Sequence, residues 1–320
     1  NGTFIDLMIT HGNTRNLILS DITDPGYNTS NPAGKLSASL NIGGQLDLAA
    51  DDADVILNGH DLTFGSTGEI LNYSAERMVV TQNSAEGNLV KDFPGRTEFV
   101  YPLGIAERDY TPAIIRPNSA GKFYVSVQDY FAAGKAPSNV EMGIDRVWHI
   151  YTDKQQEADI MLQHRAATEG SLFKNDGARI ARYQNQATNQ WTYSPTTNAG
   201  QGMHMSENVE IIANPGGEGG FFSKISLLSS ALKIPSLFTP NGDGVNDFFV
   251  VEGLDLFPET DLRIVNRWGH EVYKSHNYQN NWEGLGLNEG TYFYELKIRE
   301  TPNGEWVTYR SYITLIRRFR

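Results

Sequence analysis

Apolar and polar positions alternate along this chain in short bursts, each closed by a glycine or an Asx residue. Gln45-Leu-Asp-Leu48, Val55-Ile-Leu57 and Asp61-Leu-Thr-Phe64 follow one another with turn residues between. A period of two places every second side chain on one face, so these bursts predict half-buried strands. Asn58-Gly59 predicts a hairpin-type turn, and Glu69-Ile-Leu71, Met78-Val-Val80 and Asn88-Leu-Val-Lys91 repeat the rhythm. The stretches from Gly44, Asp54, Gly68 and Gly87 set a similar apolar strand every ~10 to 20 residues, a spacing that suits stacked turns. Two architectures fit residues 1–95: rungs of a β-solenoid, towards which the spacing leans, or the leading sheet of a sandwich. Residues 21–33, with Pro25, Gly26, Asn28 and Pro32, read as loop.

Beyond Phe93 the bursts lengthen and become more aromatic, as in Lys122-Phe-Tyr-Val-Ser-Val127, Val147-Trp-His-Ile-Tyr151 and Ala178-Arg-Ile-Ala-Arg-Tyr183, which predicts a β-sandwich over residues 96–233. The glycine-rich run after Pro215 precedes a boundary near Lys233, and residues 234–320 form a third, smaller domain. There Leu262 and Ile264 share one strand face and Arg263 and Val265 the other, Tyr292 and Tyr294 alternate with Phe293, and Trp268 and Trp282 are expected to pack in or over a small sandwich. The fold class is all-β throughout. A composition of 31 Gly, 15 Tyr and 15 Phe agrees, because these residues suit turns and twisted strands better than long helices.

Charge narrows the partners. With 26 Lys+Arg against 38 Asp+Glu, the chain carries a net charge of -12, which argues against nucleic acid, a ligand bound by clustered cations. No apolar run is long enough to span a bilayer, so direct lipid insertion by a helix is not expected. The absence of cysteine removes disulfides and thiolate chemistry. Asn1 is not a start residue, and a removed or missing leader is expected.

Four separated motifs mark the last domain: Thr239, Pro240, Asn241, Gly242, Asp243 and Gly244, with Asn246 and Asp247 behind them; Asn266, Arg267, Trp268 and Gly269; Trp282 and Gly284 around Glu283; and Gly290, Thr291 and Tyr292. In this order they resemble the gliding-motility-associated C-terminal domain, the type B sorting domain of type IX secretion cargo, over residues 234–320. Two departures are Glu283 where the family usually has Asp, and Asn288 where it usually has Pro. The resemblance implies a small immunoglobulin-like sandwich and export through the periplasm and outer membrane to the cell surface or medium. It also implies partnership with the type IX translocon and an outer-membrane partner barrel. The basic end, Arg317, Arg318 and Arg320, is expected either to meet an acidic surface of that machinery or to be solvated charge that blunts an edge strand. Residues 96–233 resemble, more loosely, strand-rich ectodomain segments of large Bacteroidetes surface proteins, through Tyr101-Pro-Leu-Gly104 and Arg146-Val-Trp-His-Ile150.

Candidate chemistry is sparse. Asn241, Asp243 and Asp247, with the Val245 carbonyl, alternate as calcium ligands do, yet Asx-Gly runs also make turns that bind nothing. Asp51, Asp52 and Asp54 form an acidic cluster whose ordinary reading is a solvated turn. His149 and His164 lack the spacing of a zinc pair, and nucleophile elbows and phosphate loops are missing. The ectodomain therefore reads as a non-catalytic structural or adhesive module with an unspecified glycan or protein ligand. The alternative is the end of a polysaccharide-active or glycan-binding protein, with Tyr130, Trp148, Trp191 or Tyr193 stacking on sugars unless they serve the core.

Overall fold

In the computed structural model the bursts of residues 1–95 wind into a parallel β-solenoid whose coils have three strand-bearing sides. Residues 2–10, 16–20, 39–137, 139–185, 190–213, 220–226, 232–257, 259–299 and 306–317 are described; the loop expected at 21–33, Arg318 and Arg320 lie outside them. The first coil carries β1 (Gly2–Phe4), β2 (Leu7–Ile9) and β3 (Leu17–Ile18), and the second β4 (Ser39–Ile42), β5 (Gln45–Leu48) and β6 (Val55–Ile56). The third carries β7 (Asp61–Phe64), β8 (Glu69–Leu71) and β9 (Val79–Val80), and the fourth β10 (Leu89–Phe93), β11 (Phe99–Tyr101) and β12 (Leu103–Gly104). Parallel pairing stacks like on like: Phe4 on Ile42 on Phe64, Leu7 on Leu46 on Ile70, and Leu17 on Val55 on Val79 on Leu103. From the second coil on these columns are buried, with Leu7 and Leu17 partly buried against them and Phe4 of the first coil exposed, which is why one burst on each side of a stacked coil must be apolar at the same phase.

The Asn58-Gly59 turn has the left-handed dihedrals of a hairpin, with φ of 48° and 79°, and His60 N–H closes it on the Leu57 carbonyl at 2.9 Å. It joins β6 to β7, which lie in different sheets, so the turn makes a corner of the coil and no hairpin follows. Successive bursts in the sequence are thus successive sides of one coil, and stacked partners lie a full coil apart.

The last coil opens directly into antiparallel structure. One edge of β10 takes β7 in parallel, and its other edge takes β14 (Gly121–Gln128) antiparallel, while β11 pairs with β13 (Ala113–Pro117). Next come β15 (Val147–Thr152), β16 (Gln156–Gln163), β17 (Ala178–Asn185), β18 (Gln190–Tyr193), β19 (Thr197–Gly200), β20 (Met203–Ile211) and β21 (Phe221–Ser226). A nine-stranded sheet, β1-β4-β7-β10-β14-β15-β21-β17-β18, runs from solenoid into sandwich, and β11-β13-β16-β20-β19 forms a second sheet of the sandwich region. One hydrophobic cluster, from Leu19 to Phe222, spans both regions. Residues 1–226 are accordingly one compact unit, and 227–320 another.

Several buried polar groups inside the first unit are tied down. Arg146 grips the Asp109 carboxylate through two nitrogens at 2.8 and 3.1 Å, both side chains buried, beside the Trp148 indole N–H donating to the Thr111 carbonyl at 3.1 Å. Asp54 is 2% exposed and accepts the Met78 N–H at 2.7 Å, and burial pushes its carboxyl up to about 6. Because the native state then holds a proton that the unfolded chain has released, stability falls as pH rises from about 4 to 6. Asp54→Asn is expected to stabilise the protein by about 2–3 kcal/mol at pH 8 and by almost nothing at pH 4. Urea unfolding at the two pH values checks this, and an equal effect at both would remove the burial argument.

The second unit is built from β22 (Leu237–Phe238), β23 (Glu259–Val265), β24 (Glu271–His276), β25 (Gly290–Arg299) and β26 (Trp306–Leu315), in the order β22-β26-β25-β23-β24. Alternation along β23 buries Leu262 and Ile264 and leaves Arg263 exposed, and along β25 it buries Tyr292 and Tyr294 and leaves Phe293 exposed. Phe249, Val251, Leu254, Phe257, Tyr278 and Trp282, from the segments 249–257 and 278–282, join the buried face of that sheet in one core. Among the described residues the opposing layer is therefore loop and a short 3-10 turn, and a second strand ladder of the immunoglobulin kind is not seen.

Candidate functional site

The two signature tryptophans have opposite fates. Trp282 is 5% exposed, with ring contacts to Phe238, Phe249, Tyr273 and Tyr292. Its backbone N–H donates to the Tyr278 hydroxyl at 3.0 Å, and that hydroxyl donates to the Phe249 carbonyl at 2.6 Å. Burial raises the Tyr278 phenol well above its ordinary range, so the hydroxyl keeps its proton and the relay holds. Trp268, expected to pack in or over the sandwich, is 74% exposed at the turn between β23 and β24. Asn266 shapes that turn by accepting the N–H groups of Trp268 and His270, each at 3.0 Å. The guanidinium of Arg267 lies over the exposed indole at 5.4 Å. The strand alternation that buries Leu262 and Ile264 ends before this turn, so nothing pulls the indole inward.

In the loop at 239–247 the acidic side chains face backbone amides. The Asp247 carboxylate accepts N–H bonds from Gly242 at 2.7 Å, Gly244 at 2.8 Å and Asn241 at 3.0 Å. These bonds, Gly242 foremost, hold its carboxyl below the usual carboxylate range. Asn241 accepts from Asp243 N–H and Asp243 from Val245 N–H, at 3.0 and 2.8 Å, while the Val245 carbonyl accepts the Thr239 hydroxyl at 3.3 Å. Gly242 and Gly244 supply the positive φ, 80° and 86°, that turns successive N–H groups inward. A ring of N–H groups is a nest for an anion, here the protein's own carboxylate; a calcium ion needs six to eight oxygens facing it. The donor set in this conformation closes the loop on itself.

Arg317 gathers this end of the unit. Its guanidinium donates to the carbonyls of Gly284 at 2.6 Å, Pro240 at 3.3 Å and Leu287 at 3.5 Å, and its backbone N–H donates to the Glu289 carboxylate at 2.7 Å. Gly284 has φ of 63°, and a Cβ there would lie 2.3 Å from Leu315, so glycine is what lets this carbonyl approach. A Cβ on Gly290, where β25 begins, would sit 3.4 Å from the Arg267 guanidinium. Residues of all four motifs therefore meet at one end. Of the basic end expected to meet an acidic surface or to be solvated, Arg317 has its guanidinium engaged by the chain's own carbonyls.

The first unit offers less. Asp51 and Asp52 pair with Arg77 and Arg108 at 3.1 and 3.0 Å, while Asp54 is internal. His149 stacks on Phe221 at 4.3 Å, far from any role with His164, whose ring lies 6.2 Å from His204 instead. Among the described residues no group of three His, Asp or Glu side chains is placed to hold a metal. Trp148 and Trp191 are buried, Tyr130 is half-buried, and Tyr193 is 45% exposed, so the two tryptophans serve the core. Sequence reasoning passed over Lys224, His204 and the Arg146–Asp109 pair, since no local pattern marks a charge whose partner is distant in the chain.

No match to the chain was found among curated proteins or among solved structures. Residues 232–315 match the CHU_C type IX secretion signal domain, which covers β22 to β26 and the end where the motifs meet. The C-terminal unit is a type IX secretion signal domain, and the chain that carries it is a cargo of that system, exported to the cell surface or the extracellular space.

Proposed function

We propose that the end of the signal domain where the motifs meet is the surface read by the secretion machinery, with Trp268 as its aromatic anchor. The observation that carries this reading is the exposure of Trp268: a motif residue with three quarters of its surface in water contributes little to folding, and large aromatics beside a guanidinium are favoured at binding hot spots. The partner is the outer-membrane translocon, or a barrel associated with it, engaging protein to protein. Residues 1–226 act as a non-catalytic structural or adhesive module at the surface. The Arg146–Asp109 ion pair is buried and serves the fold, and the solenoid provides a stiff, extended scaffold.

The test is surface appearance of the full chain, read by protease accessibility on intact cells, in a host with the type IX translocon and in one lacking it. Translocon-dependent exposure that is lost in Trp268→Ala is the expected result. Equal exposure of wild type and Trp268→Ala would show that the anchor lies elsewhere.

A further inference from the structure

Arg317 is placed after the last strand, where a linear tag would be read residue by residue, yet its side chain turns back into the domain. Its three carbonyl partners come from three separate motif loops, 239–247, 282–284 and 287–292, and its backbone N–H holds Glu289 in the last of them. Guanidinium is suited to this task because it is planar, permanently charged and presents several donors in a fixed fork. A lysine ammonium placed there is a single point of charge and cannot span the same set of carbonyls. Among the other ties at this end, the Tyr292 hydroxyl donates to the Asn288 carbonyl at 2.8 Å, Ile316 N–H to the Phe238 carbonyl at 3.2 Å and Phe249 N–H to the Trp282 carbonyl at 2.9 Å. The 239–247 loop closes mainly on itself, through Asp247, and Leu287 N–H reaches only to the Gly284 carbonyl of the neighbouring turn at 3.0 Å. The sheet does not depend on Arg317, since β25 and β26 pair in unbroken register from Gly290–Leu315 to Arg299–Trp306.

We propose that Arg317 is a positioning residue of the sorting signal: it locks the three motif loops into one surface, so the signal is a folded epitope and not a linear C-terminal tag. This rests on the reading that the motif-bearing end is what the machinery engages. Arg317 contributes by fixing the spacing of the loops, and the groups that touch the partner are those the loops display.

The experiment measures surface exposure of the full chain in the translocon-bearing host for wild type, Arg317→Lys, Arg317→Ala and a matched core variant, Val251→Ala. Thermal unfolding of each purified chain is measured in parallel. Arg317→Ala is expected to lower surface exposure at least about tenfold, Arg317→Lys to give an intermediate value, and Val251→Ala to export normally although it lowers the melting midpoint of the C-terminal unit at least as far. Export of Arg317→Ala equal to wild type would overturn the proposal while leaving the translocon dependence of wild type, and so the reading beneath it, intact. Loss of export in Val251→Ala to the same degree as in Arg317→Ala would also overturn it, because stability alone would then explain both. Wild-type exposure that does not depend on the translocon would instead remove the underlying reading.

Discussion

Trp282→Ala is expected to lower the unfolding free energy of the C-terminal unit by about 3–5 kcal/mol, the range for truncating a large aromatic in a packed core. Trp268→Ala is expected to change it by no more than about 0.5 kcal/mol. The contrast follows from burial, 5% against 74% exposed, and from what each residue holds. Removing the Trp282 ring opens a cavity among Phe238, Phe249, Tyr273 and Tyr292, next to the backbone bonds by which residues 249 and 282 lock the covering layer to itself. Truncating Trp268 removes a ring that lies in water over Arg267. Hydrogen exchange in β23 and β25 of the full chain reads the C-terminal unit apart from the rest. Comparable losses of protection in the two variants would show that Trp268 packs against the unit after all.

That contrast also shows where sequence patterns stop being informative. Both tryptophans sit in motifs, and both are large apolar residues, so a pattern of residue types gives both the same place, in or over the sandwich. What separates them is position relative to strand ends: Trp268 falls beyond the alternation of β23, while Trp282 lies in a segment with no period at all and is recruited by Tyr278 and Phe249 across the fold. The solenoid was legible for the opposite reason. Its signal is local alternation repeated at a coarse spacing, and the stacking of Val55, Val79 and Leu103 is that repetition made physical. The direction of pairing was not legible, because Asn58-Gly59 has identical local chemistry in a hairpin and at a coil corner. Likewise the residue pattern at 239–247 suits a cation loop as well as a turn that binds nothing, and it does not show that the amides point at Asp247. The intrachain ties of Arg317 were not legible, because three carbonyls leave no mark in a sequence.

Acid is expected to weaken the first unit through a cluster the mechanism of export does not use. Lys224 is fully buried, donating to the carbonyls of Gly202 at 2.6 Å and Leu162 at 3.0 Å with its ammonium over the Trp148 ring. Burial pushes its amine well below the usual lysine range, with Glu169 partly opposing the shift. His164 faces Glu169 at 2.9 Å, and His204 faces the Asn175 carbonyl at 2.9 Å. Burial, reinforced by the Lys224 charge, lowers His164 to about 4 against the pull of Glu169; burial also lowers His204, whose neighbours include Lys224 and Arg179. Each of these bases holds fewer protons folded than unfolded, so stability is lost as pH falls. For His164 the loss begins near pH 6.5 and is complete below pH 4, about 3 kcal/mol in all. His164→Gln retains a donor for Glu169 and does not titrate, so it is expected to flatten this part of the acid limb while leaving behaviour above pH 7 nearly unchanged. The urea midpoint of the full chain between pH 4 and 8, followed by hydrogen exchange in β16 and β20, measures it. An acid limb as steep in the variant as in the wild type would place the titrating group elsewhere, with His204 the next to replace. Asp54 acts in the opposite sense over the same interval, since its protonation stabilises the folded state as pH falls. The net slope between pH 4 and 6.5 is therefore a difference of two buried groups in one unit, and Asp54→Asn should steepen the acid limb that His164→Gln flattens.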